Sequence, residues 1–286
     1  MAHRIHVVTD STASLPGPPP SGMTVVSLQV TAGERTFPDG VDPAERQAAA
    51  AQAAAHMAAG GQLTTSQPTR RALTAAFMQA AERGATGILA VHLSGALSGT
   101  ARGAEIAAMR AGVPVRVVDS QTAAMGLGFA ALAAVDRAAE GRDLADVESL
   151  ARAVAAASRA VFVVESLDHL RRGGRLGAAP AALGSVFGIR PILAIRDGTI
   201  EVSRVARNRA AAMERVVAWA AAAAGECRGP RIAVHHVDAE PLAGRVADAL
   251  HAATGVMPVI APLSLVLAAH VGPGALAVVV TDWRAS

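Results

Sequence analysis

The chain has 286 residues, 52% of them hydrophobic, enough for one large domain or two ordinary ones with sizeable cores. It carries a formal charge of +3. Lysine and tyrosine are both absent, so the sequence pI of about 10.6 reflects a small excess of arginine and not a surface built for nucleic acid. Aromatic residues at 2% leave few rings for bases to stack on, and the missing lysine excludes Schiff-base chemistry and any phosphate loop ending in Gly-Lys-Ser/Thr.

The single cysteine, Cys227, rules out an internal disulfide framework or a multi-cysteine metal site, as suits a reducing compartment. The amino terminus enters a strand pattern at once, without a signal-peptide core, and no apolar run approaches the ~20 residues that span a bilayer. A soluble, cytoplasmic protein is expected, without a metal or other cofactor and without nucleic acid as a partner.

In chain order, Ile5 to Thr9 reads as a buried strand. Asp10-Ser11-Thr12 follows at its carboxyl end, where ligands of open α/β sheets sit; capping of a short helix is the other role for these side chains. Thr24 to Thr31 is a second strand, Phe37 to Pro43 a polar turn, and Pro43 opens a long alanine-rich helix ending at Gly60-Gly61. Thr64, Thr65, Ser66 and Gln67 then stand before Pro68 and a helix from Thr69 to Arg83. One N-cap accounts for only one of these hydroxyls, so the group is a candidate donor cluster.

The stretch from Leu93 to Thr100 follows the apolar run Gly87 to His92 and precedes a helix from Ala101 to Ala111. A helix N-terminus leaves backbone N–H groups unpaired and partly positive; Gly95 and Gly99 admit close approach, and Ser94, Ser98 and Thr100 add hydroxyls. Such a loop can seat a carboxylate or phosphate, though taken alone it also fits ordinary capping and turn residues. Both helix entrances are expected at one edge of a parallel sheet.

Val115 to Asp119 is a further strand, with helices over Ala123 to Glu140 and Leu144 to Ser158. Alternating strands and helices predict a parallel α/β/α arrangement for this half. Ala160 to Glu165 opens the second half, where Arg171 and Arg172 fit a solvated helix face. Arg175 lies between glycines ahead of an apolar helix from Pro180 to Phe187 and points to an anion or a partner. Arg190 to Ile195 and Thr199 to Val202 are joined by Asp197-Gly198, a strong hairpin signal, so this half mixes antiparallel pairing into its sheet. Arg204, Arg207 and Arg209 follow. His235 and His236 are adjacent strand residues pointing to opposite faces, which fits structural roles better than a metal. His270, before Gly272-Pro273-Gly274, can donate to an anion or present a proton, or be a plain turn histidine.

Five separated stretches together resemble the DegV family: Val7 to Pro16, Thr64 to Pro68, Leu93 to Thr100, Gly173 to Ile195 and His270 to Gly274. The resemblance spans nearly the whole chain. It implies two α/β domains, 1–158 with a parallel sheet and 159–286 with a mixed, partly antiparallel one. They would hold one long-chain fatty acid in a buried tunnel with its carboxyl group near the domain junction. It further implies that a separate ATP-dependent kinase subunit phosphorylates that carboxyl group to an acyl phosphate for lipid synthesis, the chain itself being a non-catalytic carrier with at most transient membrane-surface contact. By motif position the carboxylate donors would be Thr65, Ser66, Ser94, Ser98 and the backbone of the Gly95 and Gly99 loop. Arg175, Arg204 and His270 would surround the polar mouth. Where many relatives have two consecutive serines this chain has Ser94-Gly95, which removes one hydroxyl. Two other readings compete: an enzyme using Asp10, His270 and the serines in acyl or phosphoryl transfer, and a lipid sensor signalling through Arg171, Arg172 and Arg175.

Overall fold

Three sheets organise residues 4–176 and 190–285, the part of the chain that this computed structural model describes. The first half runs β1 (Ile5–Asp10), β2 (Met23–Val26), β3 (Gln29–Ala32), β4 (Arg35–Pro38), α1 (Pro43–Ala58), β5 (Leu63–Ser66), α2 (Arg70–Glu82), β6 (Gly87–His92), α3 (Thr100–Ala108), β7 (Val115–Asp119), α4 (Met125–Ala139) and α5 (Leu144–Ala156). The second continues with β8 (Arg159–Val163), α6 (Asp168–Arg172), β9 (Arg190–Arg196), β10 (Thr199–Ala206), α7 (Arg209–Gly225), β11 (Pro230–His236), α8 (Glu240–Thr254), β12 (Val259–Pro262), α9 (Leu265–Val271) and β13 (Leu276–Asp282).

A parallel sheet of order β2-β1-β6-β7 forms the first centre. Every residue of β6 is buried, as a strand covered on both faces requires. Val8, Ile88 and Ala90 pack under Leu73 and Phe77 of α2 and Ala104 of α3, while Val7, Leu89 and Val91 face α4 and α5. The second centre is a mixed sheet, β10-β9-β8-β13-β11-β12. One of its faces lies under α7 and α8; the other gives Ala160, Ala233 and Val279 to the core around α4 and α5. The two helices α4 and α5 are therefore shared between the sheets.

The region between them departs from expectation. Thr24 to Thr31 is two strands in different sheets, β2 in the parallel sheet and β3 in a small antiparallel sheet of order β4-β3-β5. The polar turn at Phe37 begins inside β4. Thr64 to Ser66, expected at the parallel sheet's edge, instead forms β5, which pairs with β3 in the register Val30 to Thr65. Local periodicity identifies a strand but not its partner, and here the partner is the neighbouring β3. Helix α1 closes over this small sheet. Asp42 and Glu45 form a reciprocal capping box at its start, and Ala49 and Ala53 pack with Val30, Phe37 and Val266. At the Asp197-Gly198 turn both residues have positive φ (46° and 78°), as a tight hairpin matching strand twist demands. The apolar helix expected from Pro180 to Phe187 lies outside the described residues.

Candidate functional site

Short-range chemistry at β5 and α9 brings two distant stretches together. Thr65, on β5, is hydrogen-bonded through Oγ1 to Nε2 of His270 at 2.7 Å. Helix α9 holds that histidine: Ser264 caps it, and the buried Asp39 accepts the Leu265 N–H at 2.8 Å. Burial, with the charges of Arg175 and His169 beside it, pushes the His270 pKa down to about 4. His270 is therefore neutral at pH 7, and its imidazole offers an N–H and a lone pair, not a cation. Gly173 makes this fit possible, since a Cβ there would lie 2.4 Å from His270 Nδ1.

The cation at this place is Arg175. Its Nε donates to the Leu97 carbonyl at 3.2 Å and its Nη1 donates to Gly173 O at 2.5 Å, tying the segment after α6 to the loop before α3. That loop also meets the end of β5: Gln67 Oε1 is 2.7 Å from where a Gly99 Cβ would stand. The structure thus gathers Thr65, His270, Arg175 and the Leu97 to Gly99 stretch at one junction of the two halves.

The remaining residues singled out from sequence are placed differently. Ser94 is fully buried, and its hydroxyl donates to Gly198 O at 2.7 Å while accepting from the Ala96 N–H. The Gly95 N–H donates to Asp119 Oδ1 at 3.0 Å. Ser98 and Thr100 hydrogen-bond to each other, and Gly99 is the N-cap of α3 without a side-chain cap bond. Ser66 is exposed at the end of β5. Arg204 lies on β10 beside a bulge, paired in register with Ile192. Its side chain makes no hydrogen bond or ion pair among the described residues.

Asp10 is wholly buried and saturated, accepting from Thr12 N, Thr12 Oγ1, Leu93 N and His92 Nδ1, the last at 2.9 Å. It fixes the start of the Leu93 loop against β1. His235 bridges the halves, accepting from Met125 N and bonding to Ala261 O, each at 3.1 Å. Among the described residues no group of three or more His, Cys, Asp or Glu side chains could hold a metal ion, and no helix is long and apolar enough to cross a membrane.

Behind the polar junction the second sheet contributes to a buried apolar cluster. Phe162, Leu193 and Ala277 lie in one register row, joined by Ile200, Leu167, Leu170 of α6 and Val271 of α9, with Leu97, Leu176 and Val202 at the margin. Sequence reasoning missed Gly173 and the Leu97 carbonyl as parts of this junction, and Asp119 and Gly198 as partners of the loop before α3. The two glycines carry the only readable signal, an absent side chain where another element must approach closely.

A parallel sheet and a mixed sheet sharing a helical layer, with a polar junction beside a buried apolar cluster, define a two-domain α/β protein. Residues 4–282 match the model of the family described as "uncharacterised protein, DegV family", and the chain belongs to that family. A DegV domain-containing protein of Streptomyces coelicolor is 39% identical over 286 residues, covering 99% of this chain and 100% of that protein. A second, from Mycobacterium tuberculosis, is 40% identical over 222 residues, covering 76% and 78%. Among solved structures, the fatty-acid-binding DegV of Bacillus subtilis matches with a TM-score of 0.85 at 28% identity, covering 98% of this chain and all of that one. A fatty-acid-binding DegV family protein of Thermus thermophilus matches with 0.81 at 29%, covering 98% and 99%.

Proposed function

We propose that this protein is a carrier of one long-chain fatty acid. Its carboxyl group sits at the junction of Thr65, His270, Arg175 and the Ser94 to Gly99 loop, and its tail lies along the Phe162 and Leu193 face. The observation that carries the reading is the Thr65–His270 hydrogen bond beside Arg175, polar groups from three separate stretches meeting at the edge of an apolar wall. The named activity of the Bacillus and Thermus structures, fatty-acid binding, supports it. Burying about a dozen methylenes at ~0.8 kcal/mol each gives roughly 10 kcal/mol before the costs of association. The tail therefore supplies most of the affinity, and the polar groups orient the head. Arg175 supplies the charge that a carboxylate needs, and neutral His270 supplies a directional hydrogen bond.

A carboxyl group held at a domain junction is accessible to a second protein, and in this reading an ATP-dependent kinase subunit phosphorylates it to an acyl phosphate, the carrier contributing no catalysis. Native mass spectrometry of gently purified protein tests the first step: an acyl ligand, or uptake of added stearic acid, is expected, and neither appearing would overturn it. For the second, acyl phosphate should form from ATP only when a kinase is added; formation by the isolated chain would make it an enzyme instead.

A further inference from the structure

We propose that Asp119 is an internal competitor for the fatty-acid head group and so sets the affinity of the seat. This rests on the reading above, in which the carboxyl group lies against the loop that contains Gly95. Asp119 ends β7, directly across the sheet from His92 in the register of β6, and its carboxylate reaches over the loop that β6 leads into. Its Oδ1 accepts from the Gly95 N–H at 3.0 Å and from the Gln121 N–H at 2.9 Å. Its Oδ2 stands 2.6 Å from where a Gly95 Cβ would be. The chain's own carboxylate therefore occupies both the amide and the space that residue 95 would offer an incoming acid.

The neighbouring donor is equally engaged, since the Ser94 hydroxyl has a single proton and gives it to Gly198 O. A head group that takes the Gly95 amide must displace Asp119, and the displaced carboxylate then stays nearby as a like charge that opposes the anion. Competition for the amide weakens every lipid that uses it; repulsion weakens acids alone. Removing Asp119 should accordingly tighten binding, and more for an acid than for an alcohol with the same tail. A purely structural Asp119 predicts the opposite, because its loss would loosen the loop.

The test is titration of stearic acid and of stearyl alcohol into the full-length protein, Asp119→Ala and Asp119→Asn, with melting curves as a control on folding. Asp119→Ala should bind stearic acid roughly tenfold more tightly, the value of about one charge-assisted hydrogen bond, and gain less for the alcohol. Asp119→Asn keeps an acceptor for both amides and loses only the charge, so it should show a smaller gain and decides the matter if the alanine variant folds poorly. Stearic acid bound by the wild type with no gain in either variant, or equal gains for acid and alcohol, would overturn the proposal alone. No acid bound by any of the three proteins would overturn the carrier reading as well.

Discussion

His235 offers the sharpest numerical test of how the two halves are joined. It is fully buried between β11 and the first turn of α4, with its Nε2 accepting from Met125 N and its other nitrogen on Ala261 O. Burial pushes its pKa from 6.5 to about 4; the bond to the Ala261 carbonyl works in the opposite direction, and the neighbouring His236 adds to the fall. Between those values the unfolded chain binds a proton that the native protein does not, so stability is complete above pH 6.5 and is lost as the pH drops towards 4. At 1.36 kcal/mol per pH unit the full effect is about 3 kcal/mol. Asp39 works the other way. Burial raises its pKa to about 6, so the native state holds a proton there and loses stability as the pH rises from about 4 to 6. The wild type alone therefore cannot isolate His235, because Asp39 and His270, whose pKa is also lowered to about 4, titrate over the same range; His235→Gln can, because both cancel in the difference. Urea unfolding at pH 7.5 and pH 4.5 should show the variant losing about 2–3 kcal/mol less than the wild type between the two conditions. Equal losses in the two proteins would refute the assignment of His235 as a neutral bridge.

Other expectations are more local. Gly198→Ala places a Cβ 2.5 Å from Ser94 Oγ at a residue with φ of 78°, and should cost about 2–4 kcal/mol, seen as a fall in melting temperature of roughly 5–10 °C; an unchanged value would mean the hairpin tip does not rest on Ser94. Gly173→Ala, with its Cβ 2.4 Å from His270 Nδ1, should displace the imidazole from Thr65 and weaken stearic acid binding about tenfold while the protein stays folded; undiminished binding would remove His270 from the head-group site. Leu193→Ala truncates a fully buried side chain of the apolar face and should cost about 2–5 kcal/mol in urea unfolding, a loss below 1 kcal/mol showing that this face is loosely packed.

The sequence made element types readable wherever the local chemistry was decisive. Asp197-Gly198 specified its turn because both positions need positive φ, and Pro43 specified the start of α1, where the structure adds a capping box of Asp42 and Glu45. What could not be read were the partnerships. The run from Thr24 to Thr31 divides between two sheets, and β5 pairs with β3, because strand choice depends on which distant surfaces remain to be covered. The same holds at the junction. Thr65 and His270 were legible as polar groups before glycine or proline. That Ser94 would spend its proton on a carbonyl 104 residues away, or that Asp119 would fill the place beside Gly95, depends on how the second sheet docks on the first. The depressed pKa of His270 was likewise invisible, since it is burial that keeps the imidazole neutral well below pH 6.5.

The helical layer that both sheets use has a practical consequence for anyone dissecting this gene. A fragment ending after α5 would leave Leu127, Phe129 and Ala133 without the Ala160, Ala233 and Val279 surface that covers that core, and a fragment beginning at β8 would bare the matching patch. Expressed separately, the pieces should be sticky and poorly soluble; produced in the same cell, they should find each other and reconstitute the whole.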